Sequence, residues 1–141
     1  MQSFKSIFAG ASLIALSAPA LAGPMDMDKP LPMNGLTLAC TGVGSAKDDP
    51  QWQDWPIRIV FSNGGSQYLS GAHVVIGQGG KTLADVDCAG PWVLVKGRAG
   101  NYHVTATIDN SAANPADAAF SIGGHGQKRV ELQFPSMKPN E

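Results

Sequence analysis

Residues 89–107 read AGPWVLVKGRAGNYHVTAT. Trp92 to Lys96 is a short run rich in aromatic and β-branched residues, and Gly97-Arg98-Ala99-Gly100 is a turn. From there Tyr102, Val104, Ala106 and Ile108 alternate with His103, Thr105 and Thr107. Apolar and polar residues in period two, bounded by glycine, are the pattern of a strand with one buried face. The stretch therefore reads as strand, turn, strand. WVLVK is apolar on both parities, so alternation alone orients neither Trp92 nor Val93.

The same pattern spreads outward in both directions. Upstream, Leu36, Leu38 and Cys40 share one parity, as do Ile57, Ile59 and Phe61. Residues 72–76 and 81–87, separated by the glycine-rich GQGG of residues 77–80, read as a hairpin. In it Ala84, Val86 and Cys88 point inward while Asp85 and Asp87 point to solvent. Asn63-Gly64 is a turn signal, but the poor strand that follows it suggests a crossover between sheets. Downstream, Ala118, Phe120 and Ile122 face in, and after GGHG at 123–126 so do Val130, Leu132 and Phe134. Two long polar segments, residues 42–56 and 109–117, read as loops.

These elements predict an all-β fold: a single antiparallel β-sandwich of about seven to eight short strands over residues 36–135, with a C-terminal tail at 136–141. Composition agrees. A chain of 141 residues, 43% hydrophobic and 15% charged, with 17 glycines and 10 prolines, suits one turn-rich domain. A formal charge of −1 lacks the clustered positive field that nucleic acid requires.

Residues 1–22 read as a signal peptide: Lys5 is the positive n-region, residues 7–16 are apolar, and Ala20-Leu21-Ala22 is a cleavage motif. Cleavage is expected between Ala22 and Gly23, which implies a periplasmic or secreted protein with no stable membrane insertion afterwards. The apolar run is shorter than a membrane-spanning helix needs. Residues 23–35 carry three prolines and no alternation, and read as a flexible leader. Met25, Met27 and Met33 are too few, and lack a neighbouring histidine, to constitute a copper site.

Cys40 and Cys88 both fall on the apolar parity of their strands. In an exported chain such an isolated pair is expected as a structural disulfide. The C-x-x-C spacing of a redox-active pair is absent.

On Gly90, Trp92 and Leu94, then Gly100, Tyr102 and Val104, the chain resembles the carboxypeptidase regulatory-like domains. Their pattern is a glycine, an aromatic and a short strand, then a proline-glycine turn and a tyrosine-led strand. The resemblance extends more loosely over residues 57–134. It departs at Arg98-Ala99, where the family usually has proline, and does not include the Cys40 strand or the loop after it. It implies a transthyretin-like or immunoglobulin-like sandwich in a small exported bacterial protein. Such domains are appendages to enzymes, adhesins and receptors rather than catalysts, so the resemblance says little about chemistry.

Three function classes follow. The first is a non-catalytic module that holds a protein partner in the periplasm or cell envelope by a sheet edge or loop surface. The second is a carbohydrate- or peptidoglycan-binding module using Trp52 and Trp55, with Tyr68, as stacking faces. The third is a metal protein or hydrolase, which requires convergence among His73, His103, Asp85 and Asp87. His125 lies in a glycine turn, and Asp48, Asp49 and Asp54 lack the spacing of a calcium loop. The nucleophile, phosphate and zinc motifs are absent from the sequence. No cofactor, catalytic residue or metal ligand is assigned, and the chain is read as not an enzyme.

Overall fold

The computed structural model describes residues 23–65, 67–108 and 111–134, with only the backbone of residues 111–114. The signal-peptide segment, and with it the residue before the Ala22–Gly23 junction, lies outside the described residues, as does the tail beyond residue 134. The described residues hold nine strands, in chain order β1 (Leu31–Met33), β2 (Leu36–Thr41), β3 (Ile57–Ser62), β4 (Ala72–Gln78), β5 (Lys81–Cys88), β6 (Trp92–Gly97), β7 (Gly100–Ile108), β8 (Ser111–Ile122) and β9 (Lys128–Gln133). They form one sheet of five, ordered β1-β2-β6-β3-β9, and one of four, ordered β5-β4-β7-β8. The expected all-β sandwich is what the chain forms.

The turn at residues 97–100 carries the chain from β6 in one sheet to β7 in the other. The Tyr102 hydroxyl closes that crossing, donating to the Arg98 carbonyl at 2.6 Å. Val93 and Val95 of β6 enter the core between the sheets, and Trp92 and Leu94 face outward. Opposite them Tyr102, Val104 and Ala106 of β7 supply the other inner face, with Val74 and Ile76 of β4 beside them. Each alternation read from the sequence lands on the expected side, because a strand covered on one face must send every second residue to that cover.

Four features depart from the sequence reading. β9 pairs parallel with β3, so the sandwich is not wholly antiparallel. The chain leaves β8 at the far edge of the four-stranded sheet and enters the other sheet at its edge, where the crossing sets direction. Second, the expected loop at 109–117 is largely strand, since β8 begins at Ser111. A register shift opposite residues 106–108 of β7 accommodates Pro115, which is tolerated on an edge strand that need not donate outward.

Third, residues 42–56 contain two 3₁₀ turns, Gly44–Asp48 and Pro50–Asp54. Fourth, the expected flexible leader is built into both sheets. The Met25 N–H donates to the Asp87 carbonyl and the Asp87 N–H to the Gly23 carbonyl, while the Asp28 N–H donates to the Cys40 carbonyl. Met25 and Met33 are buried in the core, and β1 pairs with β2 through an Asn34-Gly35 turn in which both residues have positive φ. That is the backbone a two-residue hairpin of this kind requires.

Cys40 and Cys88 form a disulfide across the two sheets, at the side where the leader straps β2 to β5.

Candidate functional site

The outer face of the four-stranded sheet holds a cluster that period two alone did not define. His73 of β4 pairs with Asp87 of β5, and the next outward pair along the strands is Val75 with Asp85. The imidazole sits between the two carboxylates: Nδ1 lies 2.6 Å from Asp87 Oδ1 and Nε2 lies 2.9 Å from Asp85 Oδ1. The first contact is a hydrogen bond. The second is close but out of line, and leaves buried Asp85 Oδ1 without a hydrogen-bond donor.

His103 does not join them. It pairs with Gly77, four positions along β4 from His73, or about 13 Å at the ordinary rise of a strand. His103 instead lines a shallow depression of about 390 Å³ with Val75, Lys81, Asn101 and Thr105. His125 is exposed in its turn.

The cluster's chemistry follows from its geometry. A hydrolytic histidine directs one ring nitrogen at a hydroxyl while a carboxylate holds the other. Here a second carboxylate lies 2.9 Å from the other nitrogen, in the place such a hydroxyl would take. As metal ligands, one ring nitrogen and its facing carboxylate supply two donors, fewer than the three or four of a zinc site. Among the described residues no three His, Cys, Asp or Glu side chains converge as a metal site. The arrangement is a compact polar cluster on a half-exposed sheet face.

On the opposite side of the molecule, the loop at 42–56 folds over the outer face of the five-stranded sheet. Trp52 and Trp55 pack on Ala39 and Leu94 as a second, small core. They are 3% and 4% exposed, with ring centroids 5.7 Å apart at an interplanar angle of 61°. Buried and edge-to-face, these indoles present no stacking face to a sugar, so the carbohydrate role assigned to Trp52 and Trp55 lacks its surface. Their burial has a visible cause: alternation places Ala39 and Leu94 outward, and something apolar must cover them. The loop is then held by polar bonds. The Trp52 indole N–H donates to the Ala46 carbonyl, and the Gln127 side-chain amide donates to the carbonyls of Trp52 and Trp55.

Asp49 links the two 3₁₀ turns. Its carboxylate accepts from the Gln51 backbone N–H at 3.1 Å and from the Gln51 side-chain amide at 2.9 Å. These donors, the backbone one first, hold its pKa below the ordinary 3.8. Tyr68 is half-exposed, with the Arg129 guanidinium 5.9 Å from its ring centroid.

The sheet edges make a third feature. β1 is three residues long and contains Pro32. β5 is covered by the Gly23–Met25 backbone and by Asn34, whose side chain donates to the Leu83 carbonyl. β9 carries Lys128, Arg129 and Glu131. Each is a recognised way to blunt an edge. β8 differs. Over residues 116–122 it pairs regularly with β7 on one side, and among the described residues no strand pairs with its other side. That stretch reads Ala-Asp-Ala-Ala-Phe-Ser-Ile, with one charge.

No family model matches the chain, and no curated protein or solved structure matches it either.

Proposed function

We propose that the protein is an exported, non-catalytic module that holds a protein partner by accepting one of its strands on β8. The observation that carries this reading is the contrast among the four edges: three are short, covered or repeatedly charged, whereas among the described residues β8 over 116–122 is neither short nor covered and carries the single charge of Asp117. An unblunted edge offers its row of unpaired backbone groups to an extended segment, and small side chains let that segment approach closely. The export pattern of residues 1–22 and the disulfide, which belongs in an oxidising compartment, support a periplasmic or secreted location. The resemblance to carboxypeptidase regulatory-like domains belongs to the same proposal and rests on its sequence motif, since such domains serve as appendages. Trp52 and Trp55 are buried and leave no indole face for a carbohydrate.

The test is a photo-crosslinking amino acid placed at Ser121 on β8, and in a separate protein at Thr82 on β5, with capture in the cell envelope. The expected result is a discrete adduct from Ser121 that Thr82 does not give. Failure at both positions, or the same adducts from both, would overturn the reading. An adduct only with a second copy of this chain would replace it by self-association through β8.

A further inference from the structure

A second site lies on the outer face of the five-stranded sheet, between that sheet and the tryptophan loop. A cleft of about 260 Å³ is lined by Arg58, Trp92, Trp52, Lys47, Asp48 and Gln127. Arg58 and Trp92 come from adjacent strands: β3 and β6 pair Arg58 with Leu94 and Val60 with Trp92. The guanidinium carbon of Arg58 lies 4.4 Å from the Trp92 ring centroid, so the cation stacks on the indole. Stacking seals Arg58 Nε from solvent without giving it an acceptor, and Trp92 Nε1 is likewise buried and unpartnered. Arg58 makes no ion pair among the described residues.

Two of the three unpartnered buried polar side-chain atoms among the described residues thus meet here, beside a half-buried guanidinium without a counter-ion among those residues. The walls around it are firmly set. Gln127 ties the backbone of both loop tryptophans, and the Trp52 indole is itself bonded to Ala46. Lys47 adds a second cation at the rim, and Asp48 is the single acid there.

We infer that this cleft binds a carboxylate, held on the terminal nitrogens of stacked Arg58, with Lys47 as a second positive charge. The planar fork of a guanidinium matches a carboxylate with two parallel hydrogen bonds. Asp48 in the same wall opposes a doubly charged phosphate more than a singly charged carboxylate. The volume admits a ligand smaller than a typical drug, such as a small free acid or the last residue or two of a peptide. A free acid and a chain end share the chemistry that Arg58 recognises.

The test follows the three indole N–H signals by NMR during titration of the folded protein. The probes are propionate, N-acetyl-glycyl-glycine, the amide of that dipeptide and inorganic phosphate. Both carboxylates should shift the Trp92 signal saturably by about 10 mM, a weak affinity suited to so small a contact. The buried Trp55 signal, which does not line the cleft, should stay in place, and the amide should have no effect. Tighter binding of the dipeptide acid than of propionate assigns the site to chain ends, and the reverse assigns it to free acids. Arg58→Gln should lose about tenfold or more in affinity while keeping dispersed indole signals, and Arg58→Lys should lose less. The inference is overturned if the amide shifts Trp92 as the acid does, if phosphate binds more tightly than either carboxylate, if no probe shifts Trp92, or if folded Arg58→Gln binds undiminished.

Discussion

Cys40 on β2 and Cys88 at the end of β5 are covalently joined between the two sheets, 48 residues apart in sequence. Beside the bond, the leader backbone bridges the same strands: Asp28 donates to Cys40, and its carboxylate accepts from the buried Thr41 hydroxyl at 2.6 Å. One side of the sandwich is thus closed by a covalent bond and a hydrogen-bonded strap. A closed loop of this length is worth about 4 kcal/mol on loop-closure entropy. Replacing both cysteines by alanine should lower unfolding stability by about 3–4 kcal/mol, measured by urea denaturation, and a loss under about 1 kcal/mol would contradict this account.

Gly90 packs where no side chain fits. A methyl group there would sit 2.5 Å from the Thr41 carbonyl oxygen and 3.0 Å from the Met27 methyl. The first neighbour is backbone in a buried strand and has little room to yield. Gly90→Ala should therefore cost about 1–3 kcal/mol and loosen the leader strap, seen as faster amide exchange at Asp28. Unchanged exchange there would show that the strap does not depend on this contact.

His73, Asp85 and Asp87 form a close cluster, but on a surface where water screens charge; the side chains are 37%, 33% and 53% exposed. Exposed pairs of this kind contribute about 0.2–1 kcal/mol. Asp87→Asn should change stability by less than about 1 kcal/mol, read from the denaturation midpoint. A larger loss would mean that the cluster organises the β4–β5 hairpin.

Asp49 contributes a pH dependence of its own. The Gln51 donors favour its ionised form in the folded protein, so its pKa lies below 3.8. The stabilisation it gives the second 3₁₀ turn is present above the ordinary carboxylate range. It is lost as pH falls through the depressed folded value. The Gln51 amide signal should titrate with a midpoint below 3.8, and in Asp49→Asn, which keeps the cap without a charge, it should not titrate. A midpoint at or above 3.8 in the parent chain would contradict the assignment.

What the sequence shows and what it hides have a common physical origin. Ala72 to Ile76, Tyr102 to Ile108 and Val130 to Phe134 were legible because one buried face imposes period two. The order of the leader is not legible in its own residues, because it comes from backbone bonds to Asp87 and Cys40, which are distant in sequence and independent of side-chain pattern. A local signal was nonetheless present in Asn34-Gly35, whose turn pairs β1 with β2. The strand character of residues 111–117 was hidden by Pro115, which is admissible only because β8 is an edge. The outward parity of Asp85, Asp87 and His73 could be read. Their meeting around one imidazole depends on the register of β4 against β5, which period two does not specify.

By itself the sequence determined the all-β class, the inward residues of most strands and the pairing of its two cysteines, because alternation and composition are local properties that any sheet must satisfy. The tertiary structure alone decided which strands neighbour one another, including the parallel pair of β3 and β9. It also decided that Trp92 faces outward under Arg58, that Trp52 and Trp55 are covered, and that β8 has no second partner strand among the described residues. Those outcomes depend on contacts between residues far apart in the chain, where burial and hydrogen bonding are settled by what another segment brings.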